Sequence, residues 1–365
     1  MNYRDGLIYL NAIGISNNQI EIIENYLLRD EMDFNVLFDK KYVTNFENIL
    51  SKGSYAKILG NNITVLENLE ERTCKNNINI VTYKDCIYPE RLKNIENPPK
   101  VLYIRGKITE DDDLAIAIVG SRKHTSYGEA MVNYFAGELA KLNVTVISGM
   151  AYGLDTIAHR SALNNEGRTI AVLGSGVDVI YPIKNSNLYL NIINNGAVIS
   201  EFPLGMQSMP YNFPQRNRII SALSLGVIVA EAKAKSGSLI TARIAAEQGK
   251  EVFAIPGNIT SYYSEGTNLL IRDGAIPLLS MEDILISVSE IQKDREEIKK
   301  RKEKINNLTE DELIIYNLIS SGINNIDKIS IESYFDIAYT NSLITILELK
   351  DLIESDNNKD FYIKK

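Results

Sequence analysis

LAIAIVGSRKHTSYGEAMVNYFAGELAKLNVTVI, residues 114–147, changes periodicity twice within a short span. Residues 114–119 are continuously apolar, which predicts a strand covered on both faces. Apolar residues then recur at helical spacing from Ser126, and a second apolar run follows at 144–147. Strand, helix and strand at this separation make a right-handed parallel crossover. At the first junction stand Gly120, Ser121, Arg122 and Lys123. A small-residue turn with two cations at a helix start is suited to an anion, because the first amides of the helix have no partners within it.

The same pattern repeats downstream. TIAVL (169–173), AVIS (197–200), VIVA (227–230) and VFAI (252–255) are further apolar runs. Helical stretches such as SLITARIAAEQGK (238–250) lie between most of them. The expectation is an α/β core over about 96–285, a doubly wound, Rossmann-like, mostly parallel sheet. Residues 1–95 read as a helical N-terminal domain, with NNQIEIIENYLL (17–28) as its clearest helix and Pro98–Pro99 at its boundary. Residues 286–307 mix both charge signs densely and read as a solvated linker or helix. Residues 308–365 resume apolar periodicity in LTEDELIIYNLI and NSLITILELKDLIES, with NNKDFYIKK as a terminal strand. Three helices and a strand suit a winged-helix-like module, and a plain helical bundle fits nearly as well. Thr309 and Glu312 have the spacing of a capping box.

Composition narrows the class. The chain has 365 residues, of which 45% are hydrophobic and 24% charged, as in soluble globular proteins. No apolar run is long enough to span a membrane, and MNYRDGLIYLNAIGI lacks the pattern of a secretion signal. A cytoplasmic protein with no membrane partner is expected, with Cys74 and Cys86 as reduced thiols. His124 and His159 are the only histidines, so neither a metal site nor a cofactor is expected. The net charge of −8 is unevenly spread: residues 100–283 hold 16 basic against 17 acidic side chains, and the remainder 23 against 30. The core is near neutral, and its cations cluster after predicted strands, where local potential outweighs the total.

In an open parallel sheet, ligands bind beyond the carboxyl ends of the strands. Five loops leave that edge. The first is GSRKHTSYG, with Gly120, Ser121, Arg122 and Lys123. The second opens on Ser148 and Gly149, with Gly153 as a turn and Asp155 as a helix cap; His159 falls inside the helix, where a packed side chain is the expectation. The third carries Gly174 and Gly176, a poor dinucleotide fingerprint because Val179 stands where a small residue is needed, and Lys184 follows it. The fourth is proline-rich and enters a helix at Arg216 and Arg218, which diverge on that helix. The fifth supplies Ser236, Gly237 and Ser238 at a helix start. Each loop alone fits a simple turn or cap about as well as a ligand contact. Together they describe an anion-binding rim. None presents a nucleophile–base pair, paired carboxylates or a Walker sequence, so binding without catalysis is expected.

GSRKHTSYG, SGMAYGLDTIAHRSAL, AVLGSGVDVIYPIKNSNL, ISEFPLG, NFPQRNRIISALS and SGSLITARIAAEQGKEVFAIPG, in that order, resemble the DNA-processing protein A (DprA/Smf) family. The resemblance covers about 100–284 and extends more loosely to the flanks. It implies single-stranded DNA binding in natural transformation and recombination, a homodimer, partnership with RecA, and no catalytic turnover. It also implies DNA-contacting roles for Gly120, Ser121, Arg122, Gly149, Gly174, Lys184, Arg216, Arg218, Ser236, Gly237 and Ser238, with at least one of the two helix arginines structural; Lys123 and Ser148, read from the same strand-exit loops, are expected to join them in binding single-stranded DNA. The C-terminal segment departs from the family: SDNNKDFYIKK stands where relatives often have a glycine-rich wing. The residues leave two rivals open, a nucleotide-binding enzyme of the phosphoribohydrolase (lysine decarboxylase-like) type and a nucleotide-sensing regulator. Against the first, AKSGSLITA lacks the glutamate spacing of that enzyme class.

Overall fold

The computed structural model describes residues 1–60, 63–356 and 360–364. The apolar runs form strands β1 (Ile78–Thr82), β2 (Val101–Gly106), β3 (Ala115–Val119), β4 (Thr145–Ser148), β5 (Thr169–Val172), β6 (Gly196–Ser200), β7 (Gly226–Val229), β8 (Glu251–Ala254) and β9 (Ile276–Pro277). Among the described residues they make one nine-stranded sheet in the order β1-β2-β6-β5-β4-β3-β7-β8-β9. From β6 to β9 every pairing is parallel; β2 pairs antiparallel with both β1 and β6. The expected α/β, mostly parallel architecture is therefore what the chain adopts.

Alternate residues of each strand serve different cores, as the period of two requires. Val101 and Tyr103 of β2, Val198 of β6 and Ala171 of β5 join one cluster. Leu102, Ile104, Ala197, Ile199, Ile170 and Val172 join the other. The second cluster is closed by the helices Asn212–Leu223 and Gly237–Glu247, through Ile219, Ile220, Ala242 and Ala245. The first is closed by N-terminal helices, through Leu7, Leu10, Ile20 and Ile23. Two differences from the sequence reading follow. Residues 78–82, expected within a helical stretch, form edge strand β1, because Arg105 through Val101 of β2 offer a full antiparallel register. The described residues up to Val288 also cluster as one compact unit, the N-terminal helices sharing the core of the sheet.

Buried polar groups tie those helices down. Glu24 is 3% exposed; it accepts from the hydroxyl of Tyr83 at 2.7 Å and from that of Tyr3, and pairs with Lys100 at 3.1 Å. Tyr83 and Tyr3 are consequently held protonated, Tyr3 pushed up to about 12, by burial first and by the neighbouring carboxylate.

Residues Ser289–Lys365 form the second unit. The charged segment is a helix, Ser289–Asn306. Helices Glu310–Ser320, Ile326–Ser333 and Ile337–Leu349 follow, and then an antiparallel pair of short strands, Ile353–Ser355 and Phe361–Ile363. The capping box forms: Glu312 accepts from the amide of Thr309 at 2.8 Å while the Thr309 hydroxyl accepts from the amide of Glu312. Of the expected terminal strand, residues 357–359 and 365 lie outside the described residues.

Candidate functional site

β3 is the point where the chain reverses its direction of travel across the sheet: β4, β5 and β6 add on one side, β7, β8 and β9 on the other. The loops after β3 and β7 must diverge there and leave a crevice. A cleft of about 320 Å³ occupies that position. Gly120 to Lys123 line it from the β3 side, and Lys233 with Ser236, Gly237 and Ser238 from the β7 side. Phe213, Arg216 and Asn217 of helix Asn212–Leu223 complete its walls. A smaller hollow lies alongside, lined by Gly149, Tyr152, Gly174 and Tyr181; Arg122, Ala151 and Phe213 belong to both.

The Arg122 loop is fixed from two directions. The buried carboxylate of Glu231, just beyond β7, accepts from the backbone amide of Thr125 at 3.0 Å and from its hydroxyl at 2.5 Å. The Ser121 amide donates to the Glu231 carbonyl at 2.9 Å. On the other side, Gly153 adopts φ +81°, and a Cβ there would lie 2.4 Å from the Ser121 carbonyl oxygen and 2.5 Å from that of Arg122. Only glycine permits this approach. The loop is thus rigid while the Arg122 side chain is exposed, its guanidinium 5.2 Å from the centroid of Phe213.

Arg216 plays a different part. It is 5% exposed, and its Nη1 donates to the carbonyls of Gly149 at 2.6 Å and Val172 at 2.5 Å, while Nε donates to Asn217 at 3.0 Å. A Cβ on Gly149 would lie 2.2 Å from that Nη1, so a larger residue there would displace the guanidinium from its two carbonyls. Burial lowers Arg216 to about 10, opposed by the charge of Asp155 and reinforced by that of Arg122. Burial raises Asp155 in turn, against the pull of Arg216 and of three backbone amides, among them Gly149 at 3.2 Å. Arg216 therefore joins the ends of β4 and β5 from beneath the cleft and contributes positive potential through its floor. His159 lies in the same buried layer: burial first, and then Arg216, depress it to about 3, so it is neutral.

The structure sorts the remaining residues singled out in the sequence. Ser121, Lys123, Ser236, Gly237 and Ser238 come together with Gly120 and Arg122 around the cleft. Gly149 and Gly174 line the adjoining hollow. Ser148 does not reach either; it is fully buried, its hydroxyl donating to the carbonyl of Ile118 at 2.6 Å. Arg218 also turns away. It forms an ion pair with buried Glu201, which accepts from Asn17 at 2.7 Å as well, so this arginine anchors the N-terminal helices. Lys184 is exposed on the turn Ile183–Asn185, three residues beyond the half-exposed Tyr181 of the hollow. The sequence reading passed over Phe213, Tyr152 and Tyr181. A signal was present for each: Tyr152 follows β4 by four residues among glycines, Tyr181 lies in the loop after β5 close to Lys184, and Phe213 stands at the start of the helix that carries Arg216.

The cleft offers an open, positively charged trough with aromatic faces beside the cations. Asp155 is the one carboxylate among its described lining residues, and it is already engaged by amide donors. Such an arrangement has the charge and shape to accept an anion that also carries flat rings. A sequence profile of the DNA recombination-mediator protein A family matches residues 79–289, more than half of the chain, and the chain belongs to that family. It is 46% identical over 199 residues to Protein Smf of Escherichia coli (strain K12), covering 54% of this chain and 53% of that protein. The match to Protein Smf of Synechocystis is 40% over 241 residues and covers 60% of that protein, so the chain aligns with little more than half the length of these relatives. Among solved structures, the X-ray structure of DNA processing protein A from Streptococcus pneumoniae superposes with a TM-score of 0.67 at 35% identity, covering 77% of this chain and 96% of that one. DNA processing protein A from Helicobacter pylori, described for its mode of binding single-stranded DNA, superposes with a TM-score of 0.52 at 33% identity over 59% of this chain and 96% of that one.

Proposed function

We propose that the chain binds single-stranded DNA in this cleft, protects it, and hands it to the RecA recombinase during natural transformation and recombination, without chemical turnover. The observation that carries the reading is the placement of Arg122: a solvent-facing guanidinium on a rigid loop, beside an aromatic ring, at the crevice of a doubly wound sheet. Phosphates are gripped by Arg122, Lys123, Lys233 and Lys184. Bases stack on the exposed rings, which tolerates most sequences because every base has a π-face. Duplex DNA hides those faces and binds less well. Among the described lining residues the one carboxylate is tied to backbone amides, and His159 is buried and neutral, which favours binding over the phosphoribohydrolase alternative. Ser148, Arg216 and Arg218 act as framework, and the other residues of the rim as contacts. A homodimer would place two rims on one strand and raise avidity. The three helices and paired strands of the second unit support a winged-helix reading of residues 308–365. Among the described residues, no helix is long and apolar enough to cross a membrane.

The test is a titration of an oligothymidylate of about 30 nucleotides against a duplex of equal length at several salt concentrations. Preference for the single strand, weakening with salt, supports the proposal. Equal binding of the duplex, or release of free base from a nucleoside monophosphate, overturns it.

A further inference from the structure

The cleft accounts for the exits of β3 and β7, and the hollow for those of β4 and β5. The exit of β8 carries an exposed aromatic residue that neither uses. Tyr262 is 61% exposed, and the Lys233 ammonium lies 4.4 Å from the centroid of its ring. Lys233 itself lines the cleft. The loop bearing Tyr262 is stitched to the exit of β7: the Ala232 amide donates to the Tyr263 carbonyl at 2.9 Å, and the Gly266 amide to the Ala232 carbonyl at 2.7 Å. A Cβ on Gly266 would lie 2.7 Å from the Lys233 carbonyl oxygen, so this approach is as close as backbone allows. The far end of the loop is held as well, by Tyr127, whose hydroxyl donates to the Pro256 carbonyl at 2.8 Å.

We infer that Tyr262 and Lys233 form a second base-stacking platform, continuous with the cleft, on which the bound single strand continues past the crevice toward β8. Resting on the single-strand reading above, this extends its footprint. An exposed ring with a cation on it, fixed at the mouth of a phosphate-binding cleft, matches one occupant: a base whose own phosphate meets the ammonium. Adjacent strands are about 4.8 Å apart, so the exits from β5 to β8 span roughly 19 Å. The exposed rings of Tyr152 and Tyr181 stand at one end of this row, and Tyr262 at the other.

Tyr262→Ala, Tyr262→Phe, Lys233→Gln and Arg122→Ala are each titrated, as full chains, with oligothymidylates of graded length, and the fold of each is checked by circular dichroism. Loss of one stacked base weakens binding about tenfold. The expected result is that Tyr262→Ala loses this factor on long strands and little on the shortest that bind, with its salt slope unchanged, while Tyr262→Phe binds normally. Lys233→Gln lowers the salt slope by about 0.7. Wild-type affinity of Tyr262→Ala at every length, with Arg122→Ala weakened, overturns the platform and leaves the cleft reading standing. A loss in Tyr262→Phe equal to that in Tyr262→Ala also overturns it, since the hydroxyl and not the ring would then be the contact. If the wild-type chain binds no single strand, both readings fall.

Discussion

Arg216→Met separates framework from ligand in the Arg216–Asn217–Arg218 segment. The substitution keeps an unbranched apolar side chain of similar reach and removes the buried charge. It leaves the Gly149 and Val172 carbonyls without their donor, and Asp155 without the charge that opposes its burial. Breaking one side of a buried ionic arrangement costs about 3–5 kcal/mol. At roughly 2–4 °C per kcal/mol for a domain of this size, the melting temperature should fall by roughly 6–20 °C. The chain has 20 tyrosines and no tryptophan, so unfolding in heat or urea is followed by circular dichroism and tyrosine fluorescence. Asp155→Asn in the same background should recover about 1–3 kcal/mol, because the two sites are coupled. A variant as stable as wild type but defective in strand binding would refute this account and make Arg216 a direct ligand. Equal loss of stability in the single and double variants would remove Asp155 from the arrangement.

Arg122→Ala should leave the melting temperature within about 1 °C of wild type, weaken single-strand binding about tenfold and reduce the salt slope by about 0.7; titrations at two salt concentrations decide it. Gly153→Ala forces a side chain onto the Ser121 and Arg122 carbonyls at a positive φ, and should cost at least about 1–3 kcal/mol and disrupt binding together with it. By contrast, a Cβ on Gly237 meets nothing within 4 Å, so Gly237→Ala should be neutral in the same melting assay. The pH dependence of stability should carry the signature of His159. The Thr169 hydroxyl spends its proton on the Val146 carbonyl, so His159 Nδ1 donates to it and buried Nε2 is left bare. In the unfolded chain this histidine takes up a proton below about pH 6.5, and in the folded chain only near 3. Its contribution is complete above pH 6.5 and is lost as pH falls toward 3, at up to about 1.4 kcal/mol per pH unit. A His159→Gln variant should therefore lose less stability than wild type between pH 6 and 4 in urea titrations; parallel curves would refute it.

Much of this molecule is written in local pattern. Six continuously apolar runs between 114 and 255 became β3 to β8 within a residue or two, because a strand buried on both faces leaves few places for polar side chains. The crevice was legible as well: small residues and cations after strands are what an anion site at a sheet edge requires, and Gly120 to Lys123 and Ser236 to Ser238 indeed meet there. What local pattern could not supply was direction. Arg216 and Arg218 are two residues apart on one helix, and nothing in their spacing says which points under the cleft and which toward Glu201. That was settled by carboxylates and carbonyls brought in from distant parts of the chain. Ser148 looks like a rim residue by its position at a strand end, yet its side chain faces back to β3. β1 was hidden for a similar reason, since an edge strand of five residues is stabilised by the register of β2 and not by its own composition. Nor could the sequence show that Tyr262, in the loop after β8, stands against Lys233, because their proximity follows from β7 and β8 lying side by side. Periodicity and residue type act over a few positions and declare themselves in order. The aim of a side chain is set by whichever partners the fold delivers, and those come from anywhere in the chain.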